Sequence, residues 1–202
     1  MKIVTTPMCE KILEFAGISE YKVNKDPDKE DGNLAILLSE GKTKMNSLNI
    51  KLNTFLQIKD SIIEVSKLRD NNNELFSKEN QIELVSKENQ ISKNIKEIFS
   101  KYPLATEWLK IDKKKKFQEK NSKIRVKVYS KFIHEIVEDM GFDILDSNYD
   151  GCDFDYIIYP DYMNINHNNC TNIEIIPIPT HENVPKDPIK RAELRYSILN
   201  NI

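Results

Sequence analysis

KIVTTPMCEKILEFAGISEYKV, residues 2–23, decides the fold, because its hydrophobic pattern changes period twice within a short span. Residues 2–6 (KIVTT) have the β-branched run of a short buried strand. Residues 8–16 (MCEKILEFA) then space Met8, Ile12, Leu13 and Phe15 as the apolar stripe of a helix. Pro7 stands where a first-turn proline is tolerated, and Gly17 is placed to cap the far end. Residues 21–23 read as extended, residues 25–33 (KDPDKEDGN) as a polar loop, and residues 34–38 (LAILL) as a strand covered on both faces. That strand runs out in SEGKT, residues 39–43.

The same grammar returns further on. KIRVKV (123–128) reads as a strand and SKFIHEIVEDMG (130–141) as a helix ending at Gly141. FDIL (142–145) is extended, DSNYDGCD (146–153) is a loop, and FDYIIYP (154–160) is a buried strand. IEIIPI (173–178) adds a strand, and residues 187–199 form a last helix with Ile189, Leu194 and Ile198 on one side. Two strand–helix–strand half-units predict an α/β protein with an open, mostly parallel sheet.

Residues 45–100 contain no Gly and no Pro. Leu48, Leu52, Phe55, Ile58, Ile62 and Val65 recur at helical spacing, NNN (71–73) interrupts, and Leu75, Ile82, Val85, Ile91, Ile95 and Ile98 resume it. This predicts an inserted α-helical hairpin. The hexapeptide SKENQI stands twice in it, at 77–82 and 86–91. The expected organisation is therefore an α/β ligand-binding domain from 1–44 and 120–202, with a helical insertion over 45–119. Such a hairpin packs on its host, covers a pocket or makes a homodimer contact; the alternative is a solvated hairpin with no direct role.

Apolar residues are 39% of the 202, enough for a core, and the formal net charge is -2. That balance lacks the basic footprint of a nucleic-acid binder. No apolar run approaches the roughly 18 residues a membrane helix needs, and the N-terminus has no signal-peptide core. The expectation is a soluble cytoplasmic protein with no membrane partner. Cys9, Cys152 and Cys170 are far apart and form no CxxC pair, so reduced thiols are expected.

Cys9 is the leading candidate for chemistry. A thiol at the first turn of a helix lies near the positive end of the helix dipole and near unpaired N–H groups, which favour thiolate and can hold an oxyanion. It follows a strand's carboxyl end, where open α/β sheets place ligands. On this reading Cys9 is alkylated faster than Cys152 or Cys170. The competing reading is a small core residue, and Glu10 beside it opposes thiolate formation. SEGKT (Ser39, Glu40, Gly41, Lys42, Thr43) lacks P-loop spacing and is read as a pocket wall near Cys9. Of the histidines, His134 reads as structural, His167 as solvated, and His181, after a strand end, as the one best placed for a site. No His, Cys, Asp or Glu set has metal-ligand spacing. Asp153, Asp155 and Asp161 flank a strand as candidates for ribose hydroxyls. The run KKKK (113–116) reads as an exposed turn, with a phosphate clamp as the sharper alternative.

MKIVTTPMCEKILEFAGISEYKV (1–23) and LAILLSEG (34–41), centred on TTPMC, resemble the HcgF family. Proteins of that family build the iron-guanylylpyridinol cofactor of [Fe]-hydrogenase in methanogenic archaea. The resemblance implies that guanylylpyridinol is bound and that its carboxyl group, adenylated by the partner enzyme HcgE, is taken as a thioester by Cys9. It makes the chain an acyl-transfer protein with no intrinsic cofactor. Thr5, Thr6, Pro7 and Met8 then shape the pocket by adjacency. An acyl-adenylate already carries a good leaving group, so no general base is required beside Cys9. The competing functions are a non-catalytic nucleotide or cofactor-binding module with Cys9 buried, and an assembly protein using the hairpin.

Overall fold

The computed structural model describes residues 1–71, 81–145, 149, 151–165, 173–180 and 184–202. The chain divides into two compact units, residues 1–103 with 186–189, and residues 104–185 with 190–202.

Unit 1 holds β1 (Ile3–Thr5), α1 (Glu10–Phe15), β2 (Tyr21–Val23), a 3-10 turn (Pro27–Lys29), β3 (Leu34–Leu38), β4 (Asn46–Ile50), α2 (Phe55–Asn71) and α3 (Gln81–Phe99). The four strands form an all-parallel sheet in the order β2-β1-β3-β4. Unit 2 holds α4 (Pro103–Trp108), α5 (Ile111–Asn121), β5 (Arg125–Val128), α6 (Lys131–Asp139), β6 (Asp143–Leu145), β7 (Tyr156–Pro160), β8 (Glu174–Ile178) and most of α7 (Pro188–Asn200). Its sheet is also parallel, in the order β6-β5-β7-β8. The α/β class and the two strand–helix–strand half-units are as the sequence reads, and each half-unit completes a four-stranded sheet of its own.

The repetition extends to the helix ends. After α1, Gly17 adopts φ 75°, with Gly17 N–H donating to Glu14 O at 3.0 Å and Ile18 N–H to Leu13 O at 2.9 Å. After α6, Gly141 adopts φ 81°, with Gly141 N–H to Glu138 O at 3.0 Å and Phe142 N–H to Val137 O at 3.2 Å. Both are the Schellman arrangement, which satisfies the last carbonyls and turns the chain into the next strand.

The domain organisation differs from the expected one. The unit boundary falls at 103/104, inside the span assigned to an insertion. That span opens with β4, the fourth strand of the first sheet, and Phe55, Ile58, Ile62 and Val65 of α2 are fully buried. α2 packs on α1, so its apolar stripe belongs to the core of unit 1. The lysine run 113–116 is also corrected: it lies in α5, not in a turn. Lys114 points inward to Asp139.

Asp139 organises unit 2. Its carboxylate accepts hydrogen bonds from Trp108 Nε1 at 2.7 Å, Tyr196 OH at 2.6 Å and Lys114 Nζ at 2.6 Å. Trp108 stacks on Phe117 at 5.1 Å and meets Tyr196 edge-on at 4.9 Å. One carboxylate thus ties α4, α5 and α7 to the end of α6.

Candidate functional site

In unit 1 the chain leaves β1 for β2 on one side and β3 for β4 on the other, so the topological switch point lies between β1 and β3. Ligands of open α/β sheets bind outside the carboxyl ends of the strands at such a point. The segments there are Thr6–Pro7–Met8–Cys9, after β1, and Ser39–Glu40, after β3.

Thr5 closes β1, is fully buried, and donates its hydroxyl to Ile36 O at 3.0 Å across the switch point. It joins the two strands from inside and is a poor ligand contact, contrary to expectation. Thr6 is half-buried, and its carbonyl accepts the N–H groups of Cys9 at 3.0 Å and Glu10 at 3.1 Å. Two donors that would otherwise be open to an oxyanion are thereby engaged. Pro7 and Met8 project outward and are exposed.

Cys9 takes the N-cap position of α1 and is fully buried. It is a thiol, whereas Cys152 is disulfide-bonded. The expectation of reduced thiols throughout is corrected on that point, and Cys170 lies outside the described residues. The expected ranking of thiol reactivity loses its footing, because Cys152 is a disulfide and Cys9 is covered.

SEGKT does not stay together as a wall. Residues 39–45 alone join β3 to β4, although β4 begins beside Leu34, at the other end of β3. Parallel neighbours usually need a dozen or more residues for this, so the link must run straight back along the sheet. Ser39 and Glu40 remain at the carboxyl edge, with the Ser39 hydroxyl donating to Glu40 Oε1 at 2.8 Å. Gly41 donates its N–H to Leu38 O at 2.8 Å, and Lys42 is exposed. Thr43 lies further along this return path, with its hydroxyl bonded to Asp28 of the 3-10 turn. Lys44 N–H joins the same carboxylate at 2.9 Å. The Thr43 hydroxyl, and after it the Lys44 N–H, hold the Asp28 carboxyl below its usual range.

Asn24, one residue past β2, is a neighbour the sequence reading missed. Its N–H donates to Thr5 O at 2.9 Å and its side-chain amide to Glu30 Oε1 at 2.9 Å. Its only signal was its position at a strand end.

The other candidates separate. His134 is half-exposed on α6, 3.9 Å from Glu138, a surface pair. His167 and His181 lie outside the described residues. Asp155 accepts Arg125 N–H at 2.8 Å and Asp153 pairs with the Arg125 guanidinium, so both sit at the amino end of β5, away from any ligand edge. Asp161 follows β7 and accepts the Thr180 hydroxyl at 2.5 Å. A groove elsewhere in unit 1 runs along β4 and α2, lined by Leu48, Lys51, Gln57, Asp60, Ser61 and Glu64. Among the described residues no helix is long and apolar enough to cross a membrane.

No family model matches the chain, and no curated protein matches it. Solved structures do. The laminin-binding protein Lbp of Streptococcus pyogenes superposes with a TM-score of 0.57 at 10% identity, covering 98% of this chain and 97% of its own. A Zn(II)-bound variant of AdcAII from Streptococcus pneumoniae gives 0.54 at 14% identity, covering 100% and 98%. The laminin-binding protein Lmb of Streptococcus agalactiae, described as an adhesin with metal-transporting activity, gives 0.52 at 10%, covering 99% of each. Identities this low establish a shared α/β architecture and leave function open. Among the described residues no three of His, Cys, Asp or Glu are grouped to hold a metal ion.

Proposed function

We propose that this chain is a binding module that holds a small organic molecule non-covalently on the carboxyl edge of unit 1. The observation that supports this reading is the placement of Thr6–Cys9 and Ser39–Glu40 after the carboxyl ends of the neighbouring strands β1 and β3, at the switch point, with Pro7 and Met8 exposed there. An apolar contact surface beside a few polar groups is the usual make-up of a ligand site. The HcgF-type resemblance supplies the candidate ligand, guanylylpyridinol.

A second reading is the thioester. Its support is the position of Cys9 at the start of α1, directly after β1. In that step the Cys9 sulfur attacks the carbonyl carbon of the pyridinol acyl-adenylate made by HcgE. The new S–C bond replaces the C–O bond to AMP, AMP departs, and the thiol proton passes to solvent. Because Cys9 is fully buried, the Thr6–Cys9 turn must open first. A homodimer and a cytoplasmic location accompany this reading. The Cys152 disulfide bears against the location, since such bonds are rare in the cytosol outside hyperthermophiles.

The test combines calorimetry with intact mass. Wild type and Cys9→Ala are titrated with guanylylpyridinol, then incubated with HcgE and ATP. The binding-module reading predicts equal affinities and no mass gain. A hydroxylamine-labile adduct absent from Cys9→Ala would instead establish the thioester, and no binding by either protein would sink both.

A further inference from the structure

An open sheet edge invites pairing with another strand unless something blunts it. The edge strands of the two sheets are β2 and β4, and β6 and β8. β2 is three residues long and carries Lys22, and β6 is three residues long and carries Asp143. β8 carries Glu174 and Pro177. β4 (NSLNI) is five residues long and has neither a charge nor a proline. Ile50 O accepts the Ser39 N–H at 2.9 Å, so the backbone of Ile50 faces β3. By alternation, Ser47 and Asn49 direct their N–H and C=O groups away from the sheet. Both residues are exposed, and among the described residues neither backbone takes a partner on that side. The groove of about 240 Å³ between β4 and α2 runs along this strand, with Leu48 and Ile50 on one wall and Asp60 and Glu64 on the other.

We propose that β4 pairs with β4 of a second copy of this chain, antiparallel across a two-fold axis at Leu48, joining two unit 1 sheets edge to edge. A two-fold contact must be self-complementary, and this strand is. With Leu48 opposite its own counterpart, Ser47 of one copy faces Asn49 of the other. Each such pair exchanges two backbone hydrogen bonds in the antiparallel pattern, and the axis makes a second pair. No like charges meet along the strands, since β4 has none. Leu48, half-buried at the groove wall, is covered by the Leu48 of the copy. The charges beyond the strand ends match too. In this register residue 44 of one copy comes level with residue 52 of the other. The turn of α2 at Asp60 and Ser61 lies beside that point, because the Ser61 hydroxyl donates to Lys51 O at 2.9 Å. Lys44 is exposed, and Asp60 is exposed with no ion pair or hydrogen bond among the described residues. The axis therefore brings a lysine to an unpaired carboxylate on both sides. One strand pair with this fringe is a small interface, below about 1,200 Å², so the dimer exchanges with monomer.

The test is sedimentation velocity of the whole chain from micromolar to millimolar concentration, with hydrogen exchange at both limits. A monomer–dimer equilibrium is expected, with the Ser47 and Asn49 amides exchanging more slowly at the high limit. Asn49→Pro removes an N–H that β3 does not use, a change an edge strand tolerates. It should weaken the dimer by about tenfold or more. Lys44→Asp and Asp60→Lys should each weaken it by about two- to fivefold, and the double variant should return to within about twofold of wild type. If Asn49→Pro fails to fold, Leu48→Lys, which sets two ammonium groups across the axis, takes its place. A chain that stays monomeric at millimolar concentration overturns the proposal and leaves the edge to a strand of another protein. A dimer unchanged by Asn49→Pro or Leu48→Lys overturns it as well, as does a double charge reversal that fails to recover.

Discussion

The Cys9 thiol lies at the first turn of α1 and is fully buried, and these two facts pull its chemistry in opposite directions. The dipole of a six-residue helix favours thiolate, while burial favours the neutral thiol. Native protein should therefore react slowly with iodoacetamide at Cys9 and quickly once unfolded in urea, as peptide mass mapping would record. Fast alkylation in the native state would mean that the turn opens readily, and would favour the thioester. Thr43 offers a second test. Because Asp28 has a depressed folded pKa, its interaction stabilises the protein above the ordinary Asp range and fades as pH falls through the folded value. Thr43→Val removes the larger of the two causes. The stability gap between wild type and variant, from urea unfolding, should be present at pH 7 and shrink below about pH 4. A gap independent of pH would contradict this origin.

Elements with strong local patterns were legible. β1, β3 and β7 are apolar runs between turn signals, β5 alternates charged and apolar residues, and Gly17 and Gly141 announce the ends of α1 and α6. β4 was not legible, because Asn46–Ile50 is polar and lies at the sheet edge, where pairing with β3 alone defines it. α5 was hidden by its lysines, since its packed side is marked by Lys114, Phe117, Gln118 and Asn121, of which Phe117 alone is apolar. The two glycines give a prediction at this scale. A Cβ at Gly141 would lie 2.7 Å from Gln118 Cα, whereas at Gly17 it would meet the end of the Arg69 side chain at 3.0 Å. Both positions carry the left-handed penalty of about 1–2 kcal/mol. Gly141→Ala should therefore cost clearly more than Gly17→Ala in chemical denaturation, because backbone cannot step aside. Equal costs would show that the α5 contact yields.

For the whole molecule, two units each with their own sheet and core predict separable stabilities. Asp139→Ala leaves three donors without their acceptor and should destabilise unit 2 by about 3 kcal/mol. Hydrogen exchange should then speed up in β5, β7 and β8 and stay unchanged in β1 and β3. Uniform acceleration would mean that the units unfold together. The candidate site was legible to the same extent as the fold. The β1-to-α1 turn is local and was read directly, whereas the return path of residues 39–45, which takes Thr43 away from the site, depends on where β4 pairs. Direct evidence on the central claim comes from the amide map of the full chain on adding guanylylpyridinol. Perturbation centred on the amides of residues 6, 8, 9, 24 and 39–40, retained in Cys9→Ala, is the predicted result. A map in which those amides do not move at saturating ligand would contradict it.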